Sequence, residues 1–174
     1  MFEVLPAPLK IQLTRFLNKD AIERVPFLQG REELFYLNYL EKFKPMRFDR
    51  DDIIFERGQK AREIFLNISG EVVNSSTNRV FRAGIMFGQD DILFQRDRLH
   101  TYKAGTELFT LRLDREVFEK MLREFPDTKK LILDEANLRS QYVRKQNETT
   151  KAIVDKESKL IIRKFNEVAS DKNF

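Results

Sequence analysis

The feature that most constrains the fold is a run of short apolar segments in the middle of the chain, separated by glycines and polar turns. The segments DIIFERG, EIFLNISGEVVN, RVFRAG and TELFTLRL are rich in Ile, Val and Phe and lie between positions 52 and 113. Segments of this kind are typical of β-strands. Parallel strands need long crossovers, usually helices, and none separates these segments. The run therefore predicts antiparallel strands in a sandwich or barrel-like roll.

Helical patterns lie on both sides of this run. LPAPLKIQLTRFLNKDAIERVPFL and REELFYLNYLEKFK precede it, with breaks expected at Pro26 and Gly30. After it, Asp114 is the predicted N-cap of a helix in REVFEKMLREF, and Pro126 begins a second helix. The second upstream helix is expected to bury its regularly spaced apolar residues, which are Leu34, Leu37, Leu40 and Phe43. The predicted fold class is α+β, an antiparallel, jelly-roll-like β-roll flanked by N-terminal helices and a long C-terminal helix.

Composition excludes several classes of protein. The chain has 174 residues, 41% of them hydrophobic, including 16 Phe, which is enough for a substantial core. The net charge of +4 is spread along the chain rather than concentrated, so it does not indicate a nucleic-acid partner. The sequence has no cysteine, which excludes disulfides and thiol chemistry and fits a reducing compartment. No apolar run is long enough to span a bilayer, so the sequence as given predicts a soluble chain.

No motif indicates catalysis or metal binding. His100 is the single histidine, and no carboxylate cluster with ligand spacing surrounds it in the sequence. No phosphate-binding loop of the G-x-x-x-x-G-K-[ST] type is present. We therefore assign no catalytic residue, no metal ligand and no cofactor.

The order of these segments resembles a known family, the cyclic nucleotide-binding domain of cyclic nucleotide-regulated cation channels. LPAPLKIQLTRFLNKDAIERVPFL is similar to the end of the channel C-linker, and FDRDDIIFERGQKAREIFLNISGEV is similar to the first hairpins of the roll. AGIMFGQDDILFQRDRL resembles the phosphate-binding cassette, and TYKAGTELFTLRLDREVFEKMLREFP resembles the strand and helix after it. The junction between linker and roll looks particularly similar to ciliate potassium-channel sequences.

The resemblance implies a binding site in residues 86–99, which we call the cassette. Gly88 would let the backbone turn close to a cyclic phosphate, and residues 89–93 would form a short helix whose N–H groups face it. Arg98 falls at the position of the family's phosphate-binding arginine and is preferred over Arg96 for that role. The residues that the resemblance assigns to the ligand are Phe87, Gly88, Gln89, Asp90, Asp91, Arg98, Leu99, His100, Arg139 and Val143.

The sequence departs from the family at two of these positions. The family has a carboxylate for the ribose hydroxyl directly after the glycine, where this chain has Gln89, which accepts a hydrogen bond without charge. The family has Thr or Ala after the arginine, where this chain has Leu99. A Thr there favours guanine, so Leu99 implies a preference for cAMP over cGMP. Bulky Leu99 and His100 would also narrow the pocket. Asp90, Asp91 and Asp97 would oppose an anion if they point inward.

The resemblance further implies a mechanism and a setting. Arg139 and Val143 would cap the purine from a lid helix, whose closure would shift the linker helices and so a channel gate. The implied division is C-linker-like helices at 1–44, the roll at 45–113, and family helices with a helical tail at 114–174. The chain would then be a cytoplasmic regulatory domain of a membrane protein, with the rest of a channel subunit as partner and a homotetramer formed through the linker.

Other functions remain open on the sequence. One alternative is a structural or interaction domain of the same fold with an empty or self-filled pocket. A transcription regulator with this roll would need a helix-turn-helix after the long helix, and residues 150–174 contain no Gly-bearing turn. A kinase regulatory subunit would usually carry tandem rolls.

Overall fold

In the computed structural model, the described residues are 6, 8–9, 12, 18–134, 136–137 and 156–159. The chain divides into two compact units, Met1–Pro126 and Asp127–Phe174. The first unit contains two four-stranded sheets in which every strand pair is antiparallel. The predicted α+β class and antiparallel β-roll are therefore confirmed. The long lid helix predicted at the C-terminus lies mostly outside the described residues.

Short helices precede the sheets. Helix α1 spans Lys19–Arg24 and is followed by a 3₁₀ turn at Pro26–Leu28; helix α2 spans Glu33–Tyr39 and continues into a 3₁₀ turn at Leu40–Lys42. Both predicted breaks are present. Pro26 begins the 3₁₀ turn, and Gly30, with a left-handed φ of 64°, lies between that turn and α2.

The eight described strands form the roll. One sheet has the order β1-β8-β3-β6 and the other β2-β7-β4-β5. The strands are β1 (Lys44–Phe48), β2 (Ile53–Phe55), β3 (Glu63–Ser69), β4 (Val72–Asn74), β5 (Arg79–Phe81), β6 (Met86–Phe87), β7 (Tyr102–Ala104) and β8 (Leu108–Asp114). Helix α3 (Gln89–Leu93) interrupts them after β6, and helix α4 (Arg115–Glu124) follows β8.

The core has two parts because β3 is buried on both faces. Phe65 faces the inside of the roll, where stacked rings and small aliphatic residues fill the space between the sheets. This internal cluster consists of Phe55, Phe65, Val72, Phe87, Ala104 and Leu108. Ile64 and Leu66 face the other way, and helix α4 packs against β3 and β8. The many phenylalanines of the sequence are thus used in a roll that is filled by aromatic rings.

Two details differ from the sequence prediction. The predicted apolar face of α2 is correct only in part: Leu40 and Phe43 are buried, but Leu34 is 59% exposed. The sequence pattern did not select three further buried residues, Phe35, Tyr36 and Tyr39. The large rings are buried because Phe35 and Tyr39 contact Phe125 at the end of α4. Asp114 is the N-cap residue of α4 as predicted, but its side chain makes no capping bond; it accepts a hydrogen bond from Lys44 Nζ at 2.8 Å.

The second unit is described only in part. Residues 126–134 are helical, so the helix predicted to begin at Pro126 is present, and residues 136–137 and 156–159 are also helical. Among the described helices of the whole chain, none is long and apolar enough to cross a membrane.

Candidate functional site

The site is built around a glycine turn between β6 and α3. Phe87 is buried and stacks between Phe65 and Tyr102, with ring centroids 5.2 and 5.7 Å away. Gly88 follows with φ 83° and ψ −6°, a left-handed conformation that side chains rarely adopt. The chain then enters α3, whose bounds, Gln89–Leu93, match the predicted short helix. As at any helix start, the first N–H groups of α3 have no acceptor within the helix.

Arg98 lies directly against this turn. Its Nη1 donates a hydrogen bond to the Gly88 carbonyl at 2.6 Å, and its Nη2 donates to the Glu63 carbonyl on β3 at 2.5 Å. The guanidinium carbon also lies 4.0 Å from the centre of the Phe55 ring, within the range of a cation–π contact. Only 1% of Arg98 is exposed, so the structure holds a positive charge inside the roll next to α3.

Two carboxylates accompany this buried charge. Glu63 Oε1 lies 3.7 Å from Arg98 Nη2, and Asp91 Oδ2 lies 3.9 Å from Arg98 Nη1. Burial lowers the pKa of the Arg98 guanidinium, and the nearby Asp91 and Glu63 carboxylates oppose that decrease. Both carboxylates therefore favour the charged form of the arginine.

The main chain of Arg98 is fixed by a neighbouring loop. Its N–H donates to the Gln59 carbonyl at 2.8 Å, and its carbonyl accepts from the Gly58 N–H at 2.8 Å. Gly58, which the sequence analysis placed in a turn, has φ 86°. The loop that connects β2 to β3 thus holds the end of the cassette in place.

Gln89, the predicted ribose acceptor, is buried behind the turn. Only 2% of the residue is exposed, and its Oε1 has no hydrogen-bond partner among the described residues. Arg98 Nε is likewise buried and without a partner within the described part of the chain. A buried polar atom without a partner costs about 1–3 kcal/mol, so both atoms are places where an added hydrogen bond would stabilise the site.

Two other charged residues of the cassette, Arg96 and Asp97, also form ion pairs. Arg96 Nε donates to Asp91 Oδ1 at 2.9 Å, and its guanidinium lies over the Phe94 ring on the exposed side. Asp97 pairs with Lys60 at 2.9 Å. The structure thus places Arg98, not Arg96, against Gly88. Of the predicted opposing aspartates, Asp91 lies beside Arg98, whereas the Asp97 side chain is exposed.

Three further predicted site residues, Leu99, His100 and Asp90, differ in how far they are buried. The Leu99 residue is 44% exposed, so the expected narrowing of the pocket by its side chain is not supported. His100 is half-buried, and burial lowers the pKa of its imidazole below the usual 6.5, with Asp91 raising it and Arg96 and Arg57 lowering it. Asp90 is half-buried in the first turn of α3.

The two predicted lid residues, Arg139 and Val143, lie outside the described residues. In the part of the chain that the structure describes, no group of three or more His, Asp or Glu side chains could hold a metal ion. Sequence analysis missed two contacts of the site, Phe55 beneath the guanidinium and Glu63 beside it. Neither carries a signal, since Phe55 is one of many strand phenylalanines and Glu63 is an ordinary acid at a strand start.

The chain is similar to several known proteins. No protein-family model matches the chain. The chain is 23% identical over 155 residues to the cyclic nucleotide-gated channel beta-3 of Canis lupus familiaris, covering 84% of this chain and 20% of the channel. It is 22% identical over 162 residues to the Mus musculus protein of the same name, covering 88% of this chain and 23% of that protein. The chain thus spans about a fifth of the length of these relatives.

Solved structures share the fold. One described as Sp-2Cl-cAMPS bound to PKAR CBD2 matches with a TM-score of 0.61 and 22% identity, covering 73% of this chain and 89% of that chain. The regulatory subunit of a cAMP-independent protein kinase A from Trypanosoma brucei matches with a TM-score of 0.58 and 22% identity, covering 71% of this chain and 47% of that chain. The structure and these similarities together give the chain the α+β roll fold of cyclic nucleotide-binding domains.

Proposed function

We propose that this chain is a regulatory cyclic nucleotide-binding domain that binds its ligand rather than transforming it. The observation that carries the proposal is the Arg98 guanidinium, buried against the Gly88 turn at the start of α3. A buried arginine beside main-chain N–H groups suits a phosphate oxygen. The matches to cyclic nucleotide-gated channels and to a cAMP-analogue complex of the same fold support this choice of ligand.

In the proposed complex, the cyclic phosphate replaces at least one hydrogen-bond acceptor of Arg98. The N–H groups of the first turn of α3 bind the phosphate oxygens, while Arg98 exchanges at least one of its two carbonyl partners for a charged oxygen. Bonds to a charged acceptor are stronger than bonds to a neutral carbonyl, which favours the exchange. The partnerless Gln89 Oε1 would accept the ribose hydroxyl, and Phe87, Asp90 and Asp91 would complete the wall of the cassette.

The proposed ligand is cAMP, with cGMP as the weaker binder. Leu99 replaces the residue whose hydroxyl would recognise guanine in the resembling channels, and a leucine side chain can neither donate nor accept a hydrogen bond. His100, the next residue, is half-buried and lies near the charges of Asp91, Arg96 and Arg57. We therefore expect no residue of the cassette to favour guanine over adenine.

Regulation would follow from the contacts of Arg98 with β3. Glu63, whose carbonyl Arg98 binds, follows Arg62, and the Arg62 carbonyl accepts the N–H of Arg115 at the start of α4 at 2.7 Å. Movement of Arg98 away from β3 would therefore alter the main-chain contact at which α4 begins. We propose that Arg139 and Val143 cap the purine and that closure of their lid helix shifts the linker helices.

The proposed parent is a cation channel, with potassium channels as the group suggested by the linker. The proposed division is then linker helices at 1–44, the ligand-binding roll at 45–113 and the following helices at 114–174. The partner would be the remainder of the channel subunit, and four copies would meet through the linker helices at the cytoplasmic face of the membrane.

Titration calorimetry with cAMP and cGMP tests the proposal. The chain should bind cAMP more tightly than cGMP, and Arg98→Ala should weaken cAMP binding by about tenfold or more, as expected for the loss of a charged hydrogen-bond partner. Arg47→Ala is the matched control and should change the affinity much less, because Arg47 is exposed and pairs with Glu107 instead of with the charges around Arg98. No heat with either nucleotide at millimolar concentration would disprove ligand sensing.

A second candidate, a structural domain with a self-filled site, is favoured by a specific observation. Both terminal nitrogens of Arg98 already have main-chain partners, and the guanidinium is stacked and buried. The kinase subunit from Trypanosoma brucei, described as cAMP-independent, has the same fold. Under this alternative, Arg98→Ala would lower thermal stability although the unsubstituted chain binds neither nucleotide.

A further inference from the structure

The environment of Arg98 contains two kinds of partner that act differently. The main-chain carbonyls of Gly88 and Glu63 lie 2.6 and 2.5 Å from its terminal nitrogens and fix the position of the guanidinium. The Glu63 and Asp91 carboxylates lie farther away, at 3.7 and 3.9 Å, and mainly neutralise its charge. A change in the Glu63 side chain would leave the carbonyl bonds in place and change only the charge.

Of the two carboxylates, Asp91 is already engaged by a second cation. Arg96 Nε bonds to Asp91 Oδ1 at 2.9 Å, so the Asp91 charge is shared between two arginines. The Glu63 carboxylate lies nearest to Arg98 among the ion pairs of that residue, and its side chain is 24% exposed. The Glu63 side chain thus places a second, partly exposed negative charge beside the buried guanidinium, where an incoming anion would compete with it.

The net charge of the residues around Arg98 affects how well an anion can bind there. Arg98 and Arg96 together with Asp91 and Glu63 form a group without net charge. An incoming phosphate would make that group negative and would be repelled by Glu63 at short range, where screening by salt is weak. Without the Glu63 charge, the group is positive before binding and neutral afterwards.

We propose that the Glu63 carboxylate sets the affinity of the cassette for anionic nucleotides by competing with the phosphate for Arg98. The inference rests on the proposed function, because it concerns the same site. Glu63 is then a residue that tunes affinity from the start of β3, outside the cassette itself, and its effect is specific to ligands with a negative charge.

The test uses the full chain, calorimetry, and two probes, cAMP and uncharged adenosine. Glu63→Gln should bind cAMP about fivefold more tightly than the unsubstituted chain, as expected for the loss of one partly exposed ion pair. Its response to adenosine should equal that of the unsubstituted chain. Glu107→Gln is the matched control, because it removes the same charge from a carboxylate that pairs with Arg47 instead.

The outcomes separate this inference from the proposed function. If the unsubstituted chain binds cAMP and Glu63→Gln binds it no more tightly, the inference is overturned while the proposed function stands. An equal gain for Glu107→Gln, or a gain for adenosine, also overturns it, because the effect would not be local competition for a phosphate. If neither the unsubstituted chain nor Glu63→Gln binds cAMP, both fail.

Unfolding of a variant would also change its measured affinity, so the folded state of each variant must be checked. Circular dichroism melts accompany each titration, and Glu63→Thr provides a second neutral side chain that is favoured in strands. Glu63→Thr should give the same gain for cAMP. Glu63→Asp keeps the charge and should stay within about twofold of the unsubstituted chain, since a partly exposed carboxylate remains beside Arg98.

Discussion

At the scale of single residues, Gly88 and Arg98 depend on each other. A Cβ atom at Gly88 would lie 2.8 Å from Arg98 Nη1 and 3.4 Å from the Glu63 carbonyl oxygen. The guanidinium can approach the turn only because no side chain stands there. The glycine therefore permits both the left-handed backbone and the arginine contact.

Gly88→Ala should displace Arg98 as well as strain the turn. We expect a loss of about 1–3 kcal/mol in the free energy of unfolding, since an alanine at positive φ is strained and the guanidinium must move. The affinity for cAMP should fall by about tenfold or more. Chemical denaturation and calorimetry measure the two effects.

Gly30→Ala is the control for this substitution. Gly30 has φ +64°, positive like the +83° of Gly88, but a Cβ there meets nothing within 4 Å. It should show the backbone strain alone, and an equal loss of cAMP affinity in both variants would argue against the displacement of Arg98.

His100 gives the cassette a measurable pH response. Because burial lowers the pKa of its imidazole below 6.5, the neutral form is favoured in the folded chain. This contribution to stability is present above the unfolded-state pKa and is lost as the pH falls through the folded-state pKa. Since His100 is the single histidine, an NMR titration should show one imidazole with a pKa under 6.5.

The stability of His100→Gln provides the second readout. Below about pH 6.5 this variant should lose less stability on acidification than the unsubstituted chain, because it has no buried imidazole to protonate. An imidazole that titrates above 6.5 would contradict the burial argument.

At the scale of elements, an aromatic cluster joins the N-terminal helices to α4. Phe35 and Tyr39 of α2 both contact Phe125, with ring centroids 5.4 and 5.9 Å away. The Tyr39 hydroxyl also donates to Glu124 Oε2 at 2.5 Å. Helix α2 is therefore fastened to the end of α4 by packing and by one strong hydrogen bond.

Tyr39→Phe should destabilise this junction by about 1.5–3 kcal/mol, the usual value of a bond to a charged acceptor. Burial and the Glu124 bond raise the pKa of Tyr39 to about 12, so its contribution is present below the ordinary pKa of 10.0 and is lost as the pH rises towards 12. Urea denaturation of Tyr39→Phe, Glu124→Gln and the double variant measures the coupling. Additive losses in the three variants would show that the bond contributes nothing.

The elements that the sequence predicts are those with local signals. The hairpin strands follow runs of Ile, Val and Phe, and the turns follow glycines that take positive φ at Gly58, Gly70, Gly84 and Gly88. The short helix α3 is predicted because the Gly88 turn and the residues after it resemble the cassette. These features depend on neighbours in the chain.

What the sequence could not predict depends on distant contacts. Strands β1 and β7 read KPMRF and YKA, which are too short and polar to be recognised, and they form because β8 and β4 pair with them. The face of α2 is decided by α4, far along the chain. Likewise, Glu63 and Arg98 meet only because the roll brings β3 to the cassette, 35 residues apart in sequence.

At the scale of the whole molecule, the division into two units allows the cassette and the lid to be tested separately. The cassette with its Gly58 loop and Glu63 lies in Met1–Pro126, whereas the proposed lid residues belong to the stretch after Asp127. A chain that ends at residue 126 keeps the sheets, the internal aromatic cluster and α4. It should therefore fold and retain the phosphate contacts.

The shortened chain should bind cAMP about tenfold more weakly than the full chain, because the purine face would stay in water instead of being covered by apolar side chains. Arg139→Ala in the full chain should give a smaller loss, and Arg98→Ala should weaken both lengths by the same factor, since the phosphate contacts do not involve the lid. Calorimetry of the five proteins gives these ratios. Equal cAMP affinity for the two lengths would show that the second unit does not act as a lid, while the effect of Arg98 would still identify the cassette as the binding site.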